Sequence, residues 1–578
     1  MNRTATATLA AALTAVHIHP VNLADTRLPP RGTVMLSSDL SRRDFLEGSL
    51  GALAAATPRL GAAVPHLARR GGVTPPPAFE LEEATIATLQ DGMRSGKWTS
   101  RRLCQLYLGR IDALDRQGPT LRAVIEANPD ALAIADRLDQ ERKAGRVRGP
   151  LHGIPVLIKD NIATGDRMLT TAGSLALAQG PAPRDAFVAN RLREAGAVIL
   201  GKTNLSEWAN MRSSHSVSGW SGRGGQCRNP YALDRNPCGS SSGTGVAIAA
   251  SLAAVGVGTE TDGSIVCPSH ANSLVGIKPT LGLVSRTGII PIAHSQDTAG
   301  PMCRTVTDAA ALLAVLAGAD GADPATASAP AAADYATALD PNGLKGARIG
   351  VVRAVFGSPA ADALVNAALE VLKAQGAELI DPVEILHLKD YGDQEYTVLL
   401  YEFKADLNAY LAGLGPNAPL RTLADLIAFN EQNRDREMPW FGQETFLEAQ
   451  AKGPLTEDAY VEALAHCRRL SRTEGLDPVF AEHRLDAIVG PTGAPAWFID
   501  LVNGDCGGSG GNSSLAAVSG YPSLTVPVGY AVGLPVGMSF VGRPWSEATL
   551  IRMAYAYEQA AQPRRPPKFL PTVDLTAR

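Results

Sequence analysis

From Leu81 to Gly149 hydrophobic positions recur every three to five residues, at Ile86, Leu89 and Met93 and then at Leu103, Leu106 and Ile111. That interval predicts a helical layer leading into a sheet. The pattern then changes: Leu151-His-Gly-Ile-Pro-Val-Leu-Ile158 is a nearly unbroken apolar run of strand length, and it delivers Lys159-Asp160-Asn161. Ala186 to Ala197 predicts a helix and Val198-Ile-Leu200 a strand, ending in Gly201-Lys202-Thr203-Asn204. Thr244 to Val255 is Ala-rich and free of Pro, and predicts a buried helix. The alternation resumes with a strand at Ala347–Val352 and a helix at Ala361–Ala374. A polar helical region follows from Tyr396 to Cys467, then buried-strand patterns at Leu485–Thr492 and Gly520–Pro527. Such alternation argues for an α/β fold, with a mixed or mostly parallel sheet flanked by helices. The Ala/Asp-rich segment from Gly318 to Ala333 reads as a flexible surface excursion, and no internal repeat is present.

The first 70 residues have a different character. Residues 1–40 are rich in Ala, Thr and Pro with little periodicity, and no fold is expected of them. Ser41-Arg42-Arg43-Asp44-Phe45-Leu46 is a twin-arginine pattern, followed by an apolar Ala/Gly-rich run. This is the layout of a signal peptide for the export of folded proteins. Met35, just before the pattern, is the expected translation start, and cleavage is expected between Ala56 and Ala68. The apolar run is shorter than the roughly 20 residues of a spanning helix, so no stable membrane insertion is expected. No Cys precedes Cys104, which leaves none to be lipid-modified at the signal's end. The expected division is residues 1–70 as N-terminal extension and signal, 71–80 as a Gly/Pro linker, and 81–570 as a single catalytic domain. The expected location is periplasmic or secreted, with the twin-arginine export machinery as a partner in transit.

Composition adds exclusions. At 45% apolar and 19% charged the chain is an ordinary globular protein. A formal charge of −4 argues against a nucleic-acid or anionic-membrane partner. The seven cysteines are odd in number and form no CxxC or Cys/His metal pattern. They read as small buried thiols; a disulfide after export stays open, and spacing does not say which pair forms it.

Two serine-bearing loops carry the candidate chemistry. Cys238-Gly239-Ser240-Ser241-Ser242-Gly243 opens the Ala-rich run, and Thr261-Asp262-Gly263-Ser264-Ile265 follows it. Gly/Ser clusters allow the close backbone approach of an anion-cradling loop, and a helix N-terminus beside hydroxyls favours negative charge nearby. Alone, the first loop is no more than a turn before a core helix. Taken with Gly276-Ile-Lys-Pro-Thr280 and Gly153-Ile-Pro-Val-Leu-Ile-Lys159-Asp160, the two loops closely resemble the amidase signature family, and the likeness runs from about residue 80 to 565. It implies that family's fold, a large mixed sheet flanked by helices on both faces. It implies Ser264 as nucleophile, Ser240 as the bridging serine that the family holds in a cis peptide, and Lys159 as the catalytic lysine. Lys202, in Gly-Lys-Thr-Asn, is structural by the same resemblance, and Asp297, in Asp-Thr-Ala-Gly-Pro301, holds loops near the site. No metal or organic cofactor is implied.

A serine hydroxyl needs a base. With an ordinary pKa near 10.4, under about 0.1% of a lysine is neutral at pH 7, and lowering that pKa to near 7 costs roughly 4–5 kcal/mol, within the reach of burial. The expected mechanism has neutral Lys159 take a proton through Ser240 while Ser264 attacks an amide. Backbone N–H groups of Thr261, Asp262, Gly263 and Ser264 would hold the oxyanion, and Ser241 and Thr244 would support the relay by hydrogen bonding. Trp208, Trp220 and Gly222–Gly225 either line the substrate cleft or pack. A competing reading takes Gly239-Ser-Ser-Ser-Gly243 as the nucleophile elbow of an α/β-hydrolase-type esterase, with Ser241 attacking. The Pro-rich Arg228–Pro237 before it is a poor strand, however, and Gly507–Gly511 matches the same loose pattern. A non-catalytic binding protein is disfavoured because Lys159, Ser240 and Ser264 are all present, and a transamidosome subunit because of the export signal. Asp262 and Val266-Cys267-Pro268 depart from the commoner family residues and, with Asn229-Pro-Tyr231 and Ser295–Met302, resemble the peptide amidase branch. That resemblance implies release of ammonia from the C-terminal carboxamide of peptides without internal cleavage; small aliphatic or aryl amides are the alternative.

Overall fold

The sheet forms where the sequence holds its densest runs of Val, Ile and Leu. The structure, a computed structural model, describes residues 78–331, 333–416, 418–507 and 511–575. Met35, the twin-arginine pattern, the expected cleavage region and the linker up to Pro77 lie outside the described residues. The strands are β1 (Val124–Ala127), β2 (Pro155–Lys159), β3 (Val198–Thr203), β4 (Trp220–Ser221), β5 (Gly225–Gln226), β6 (Val255–Glu260), β7 (Val275–Lys278), β8 (Thr298–Cys303), β9 (Arg348–Val351), β10 (Glu378–Ile380), β11 (Ala487–Pro491), β12 (Ser523–Ala531) and β13 (Leu534–Val541). β4 and β5 pair with each other, and the rest form one 11-stranded sheet in the order β1-β3-β2-β6-β8-β7-β12-β13-β11-β9-β10. β2 runs parallel to β3 and β6, and β9 parallel to β10 and β11, while the other neighbours are antiparallel. The sheet is therefore mixed, as the alternation of elements predicts.

Successive strand residues face opposite sides, so a strand buried along its whole length is covered on both. β2, β3, β6, β7, β8, β11 and β13 are all buried in this way. The cover comes from helices such as Ser100–Arg110, Ser242–Ala249, Val306–Leu316, Pro359–Ala374 and Glu547–Ala561, whose apolar residues join the sheet's in one core. The polar helical region packs into a second core shared with the segments around residues 172–177, 205–211 and 290–293. Leu400, Phe403, Leu407, Leu423, Leu426 and Phe446 pack there with Leu205 and Trp208 from the segment after β3.

Three expectations change. The segment 81–149 is not helical throughout: the short edge strand β1 interrupts it, pairing antiparallel with β3. The Ala-rich helix does not reach Val255. It spans Ser242–Ala249, the chain reverses at Ser251 in a left-handed conformation (φ 54°), and Val255 begins β6. Alanines suit either state, and the Val-Gly-Val-Gly alternation that follows is what a strand requires. Finally, the described part of Gly318–Ala333 is packed. Arg286 pairs with Asp323, the Ser285 hydroxyl donates to Asp320 (2.6 Å), Thr326 is buried, and Pro324–Ser328 forms a helical turn.

One contact decides where the serine loop sits. The helix Ser242–Ala249 lies across Gly256 and Gly258 of β6, close enough that a Cβ at Gly258 would stand 2.9 Å from Ser241 Oγ. At its other side, Gly243 donates its N–H to the Asn204 carbonyl (3.0 Å) at the end of β3. A Cβ at Gly243 would lie 2.3 Å from the Ala123 carbonyl oxygen and 2.5 Å from that of Asn204, both backbone atoms that cannot swing aside. Overpacking of this kind costs about 1–3 kcal/mol, and more where backbone must move. Gly243→Ala is therefore expected to destabilise the protein by at least about 2 kcal/mol, read as a lowered urea midpoint; an unchanged midpoint would refute this packing.

Candidate active site

β2 and β6 bring the lysine to the serine. In their parallel register Leu157 lies beside Gly256, so Lys159, two residues on, shares the face with Gly256 and Gly258 over which the serine-loop helix rests. Lys159 is fully buried. Its Nζ lies 2.8 Å from Ser240 Oγ, 2.9 Å from Thr259 Oγ1 and 3.2 Å from the Thr259 carbonyl oxygen. A neutral amine has two N–H donors and one lone pair. The two Thr259 oxygens satisfy the donors, which leaves the lone pair for the Ser240 hydroxyl proton. Asn161 Nδ2 donates to the same Thr259 Oγ1 (3.0 Å) and fixes that hydroxyl.

Burial pushes the Lys159 pKa down from 10.5 to about 7, against the opposing pull of the Asp297 and Glu260 carboxylates. Near neutrality a substantial share of it is therefore the free amine. Two other buried lysines share the effect without sharing the site. Lys202, lowered to about 8 by burial, donates to the Ile162 carbonyl (2.6 Å) and Thr170 Oγ1 (2.9 Å). Lys278, also lowered to about 8 by burial, donates to the Tyr521 carbonyl (2.8 Å).

The Gly239–Ser240 peptide is cis, and the Ser240 carbonyl accepts from the Ser206 N–H (3.0 Å). Ser264 joins through the backbone: the Ser241 N–H donates to the Ser264 carbonyl (3.2 Å), which clamps one serine loop to the other. A disulfide, Cys238–Cys267, ties the first loop to the helix that follows the second. Of the remaining cysteines, Cys104, Cys227, Cys303 and Cys467 are buried free thiols. Exposure is graded along the array, from 0% at Lys159 and Ser240 to 8% at Ser264, so of the three Ser264 is the nearest to solvent.

The loop Thr261–Ser264 is pinned at both ends. Glu260 Oε2 accepts from the N–H groups of Ile265 (2.7 Å) and Val266 (2.9 Å). Asp297 Oδ1 accepts from the Thr261 hydroxyl (2.6 Å), and its Oδ2 from the N–H groups of Ile292 (2.8 Å) and Ala293 (3.0 Å). Gly263 has φ +77°, which its lack of a Cβ permits. Among the described residues no protein acceptor takes the N–H of Thr261, Asp262, Gly263 or Ser264, so this stretch of backbone can offer its donors to an anion beside Ser264.

Ser241 and Thr244, expected around the relay, have other partners. The Ser241 hydroxyl donates to the Thr259 carbonyl (3.0 Å) and accepts from the Thr259 N–H (3.2 Å), so it braces the residue that holds Lys159. Thr244 Oγ1 pairs with Thr203 Oγ1 (2.7 Å), which joins the helix to β3 away from the lysine. The nucleophile-elbow reading fails on the same contacts, since Ser241 is fully buried and no histidine is among its partners. Trp208 and Trp220 pack, against Phe446 and Phe441 respectively, and Arg223 pairs with Glu126 and Asp160. Thr259 and Asn161 escaped the sequence reading: nothing about a Thr at a strand end signals a lysine clamp until β6 is known to lie beside β2. His294, Glu402 and Asp406 offer ligand atoms within 4.8 Å of one another. Glu402 is already taken by the Ser295 N–H (2.9 Å) and the Tyr460 hydroxyl (2.8 Å), and the cluster shares no residue with the serine loops.

A family model described as Amidase matches residues 102–551. A "probable amidase" of Arabidopsis thaliana is 43% identical over 505 residues, covering 85% of this chain and 93% of that protein. The crystal structure of native peptide amidase from Stenotrophomonas maltophilia is 54% identical with a TM-score of 0.81, covering 85% of this chain and all of that one. An amidase family protein from Bacillus anthracis is 38% identical with a TM-score of 0.77, covering 85% of this chain and 93% of that one.

The lysine's burial predicts a pH signature in stability. Below about pH 7 folded and unfolded chains both carry the Lys159 proton, and this group contributes no slope. Between about pH 7 and 10.5 only the unfolded chain carries it, so stability rises with pH. Lys159→Met should lower that slope by about 1.4 kcal/mol per pH unit in urea denaturation at pH 7.5 to 9.5, while Lys202 and Lys278 keep theirs. Equal slopes in wild type and variant would show that Lys159 stays charged when folded.

Proposed function

The chain belongs to the amidase family and hydrolyses amides, and on that premise we propose that it releases ammonia from the C-terminal carboxamide of peptides through a Ser264–Ser240–Lys159 relay. The observation that carries the relay is the 2.8 Å contact of the buried Lys159 Nζ with Ser240 Oγ, beside two Thr259 oxygens that can take the N–H groups of a neutral amine and leave its lone pair for Ser240. The lone pair takes the Ser240 proton as Ser240 Oγ takes that of Ser264, and Ser264 Oγ bonds to the amide carbon. Negative charge gathers on the former carbonyl oxygen, within reach of the N–H groups of residues 261–264. As the tetrahedral centre collapses, the proton returns through Ser240 to the leaving nitrogen, the C–N bond breaks and ammonia departs. Water then attacks the acyl ester by the reverse route, yielding the free acid and restoring Ser264. Every proton is supplied by the three residues and the water, so the relay calls on no metal or cofactor.

Support for a peptide amide as substrate comes from the likeness to a peptide amidase together with Asp262 and Val266-Cys267-Pro268 around the nucleophile. Purified protein is expected to release ammonia from a peptide amide well ahead of benzamide and to leave the unamidated peptide intact. kcat/KM should rise about tenfold per pH unit up to about pH 7, because the acid form of Lys159 is inactive. Ser264→Ala should lower kcat by about 10³-fold or more. Faster release from benzamide would redirect the substrate reading to small aryl amides, and full activity in Ser264→Ala would remove the relay.

We place the mature enzyme in the periplasm or outside the cell, delivered through the twin-arginine route. Support comes from the Arg42-Arg43 pattern and from the disulfide between Cys238 and Cys267, a bond that persists in oxidising compartments. Replacing Arg42 and Arg43 together by Lys should leave the protein in the cytoplasmic fraction of its bacterial host; undiminished export would refute the route.

A further inference from the structure

A pair of carboxyl groups beside the nucleophile loop has no part in the relay. Asp262 lies between two of the free N–H groups, and its Oδ2 accepts from the Ser514 hydroxyl (2.6 Å). Its Oδ1 is buried and, among the described residues, finds no N–H or hydroxyl donor. The carboxyl of Glu395, in the first turn of the helix Gly392–Ala412, neighbours the Asp262 carboxyl closely enough for the two to interact. Two carboxyls can bond only when one of them keeps a proton. The other oxygen of Glu395 is engaged as well: Oε1 accepts from Gln296 Nε2 (2.9 Å), and the same nitrogen donates to the Thr261 carbonyl (3.3 Å). Glu395 thus reaches two consecutive residues of the loop, one directly and one through Gln296.

We propose that Glu395 is a positioning residue for the oxyanion-binding loop: as the acid it donates to Asp262 and, with Gln296, fixes the Thr261–Asp262 peptide so that the N–H groups of residues 261–264 point at one place. This rests on the reading of Ser264 as nucleophile and extends it into the helical region. It also gives Asp262, where the family commonly has glycine, a partner and a purpose.

The surroundings set the pH range. Burial first, and then the Asp262 charge, raise the Glu395 pKa to about 8. Around the pair stand Tyr391 at the start of the same helix, Cys467 on the helix Asp458–Arg468, Ser514 on the helix Ser513–Ser519, and Glu260 and Lys278 from the sheet below. Burial raises Tyr391, and raises Cys467 to about 12, so both stay neutral through the working range. Lys278, lowered to about 8, titrates where Glu395 does. When Glu395 loses its proton the donor to Asp262 is gone and two like charges face each other across the loop. The alignment of the N–H groups then fails, and kcat falls on the alkaline side.

The test is the pH profile of kcat and KM for peptide-amide hydrolysis in wild type, Glu395→Gln and Glu395→Ala, with Ser264→Ala in parallel and folding checked by Tm. A glutamine can donate to Asp262 and accept from Gln296 at every pH. Glu395→Gln should therefore keep kcat at pH 7.5 within about threefold of wild type and lose the alkaline fall up to about pH 10. Glu395→Ala should lose about tenfold or more in kcat with KM changed less than about threefold, the mark of lost alignment in the transition state. An alkaline limb that persists unshifted in Glu395→Gln assigns it to Lys278 and overturns the proposal, as does a wild-type kcat in a folded Glu395→Ala. If the alanine variant fails to fold, the glutamine profile decides alone. Full activity in Ser264→Ala would instead strike at the relay, whereas an inactive Ser264→Ala beside an unaltered Glu395→Gln profile overturns this assignment only.

Discussion

The site depends on keeping one amine dry. Lys159 is fully buried, and holding it near pKa 7 rather than 10.5 represents roughly 5 kcal/mol of stability forgone at neutral pH. That is about what complete burial of two or three large apolar side chains contributes. The fold supplies it by placing Lys159 at the end of a central strand whose other residues are buried apolar groups, between β3 and β6. A lysine at a sheet edge would keep its hydration and its charge. The glycines of β6 follow from the same requirement, since only a strip without side chains lets the serine-loop helix come close enough for Ser240 to reach the amine. The amine, the glycine strip and the helix form one geometric unit, and the clash expected at Gly243 shows how little slack it has.

A second constraint acts on the loop Thr261–Ser264. Its N–H groups serve an anion only if they find no other acceptor, yet a loop without internal hydrogen bonds is normally mobile. The fold resolves this by anchoring the loop through other groups. Glu260 takes the two N–H groups just beyond Ser264, Asp297 takes the Thr261 hydroxyl, the Ser241 N–H takes the Ser264 carbonyl, and Cys267 ties the following helix to Cys238. The acidic side chains do double duty. Placed near Lys159, Glu260 and Asp297 oppose its loss of charge, which keeps its pKa near 7 instead of still lower.

How much of this was legible in the sequence differs by kind of residue. Lys159, Ser240, Ser264 and the backbone 261–264 lie in segments whose local composition is unusual, and the structure brings Lys159 against Ser240 and the two serine loops together. Lys202 follows a strand just as Lys159 does, and only the family resemblance separated the two before the contacts did. Thr259 and Asn161 carried no local signal, because their importance arises from the pairing of β2 with β6, a relation between residues about 100 positions apart. β1 was hidden for a related reason: a four-residue edge strand has too few positions to show a period of two. Thr244 misled because proximity in sequence to the serines suggested proximity to the relay, whereas the helical turn points it at Thr203.

The division of labour between sheet and helical region follows from these constraints. Groups that must be dry and rigid, Lys159, Thr259 and Glu260, sit on central strands with cover on both faces. The more exposed groups sit on loops and on the helices between Gly392 and Arg468, which pack in apolar clusters of their own and of neighbouring segments. Residues such as Ala172, Leu177, Leu205 and Ile290 complete one of those clusters, so the region is tied to the rest of the fold by its packing. It also reaches the second serine loop. Glu395 touches that loop through Asp262 and Gln296, and Glu402, seven residues on along the same helix, holds the Ser295 N–H next to Gln296. A rotation of that helix would move both anchors together, so the helix and the loop Thr261–Ser264 are mechanically one body.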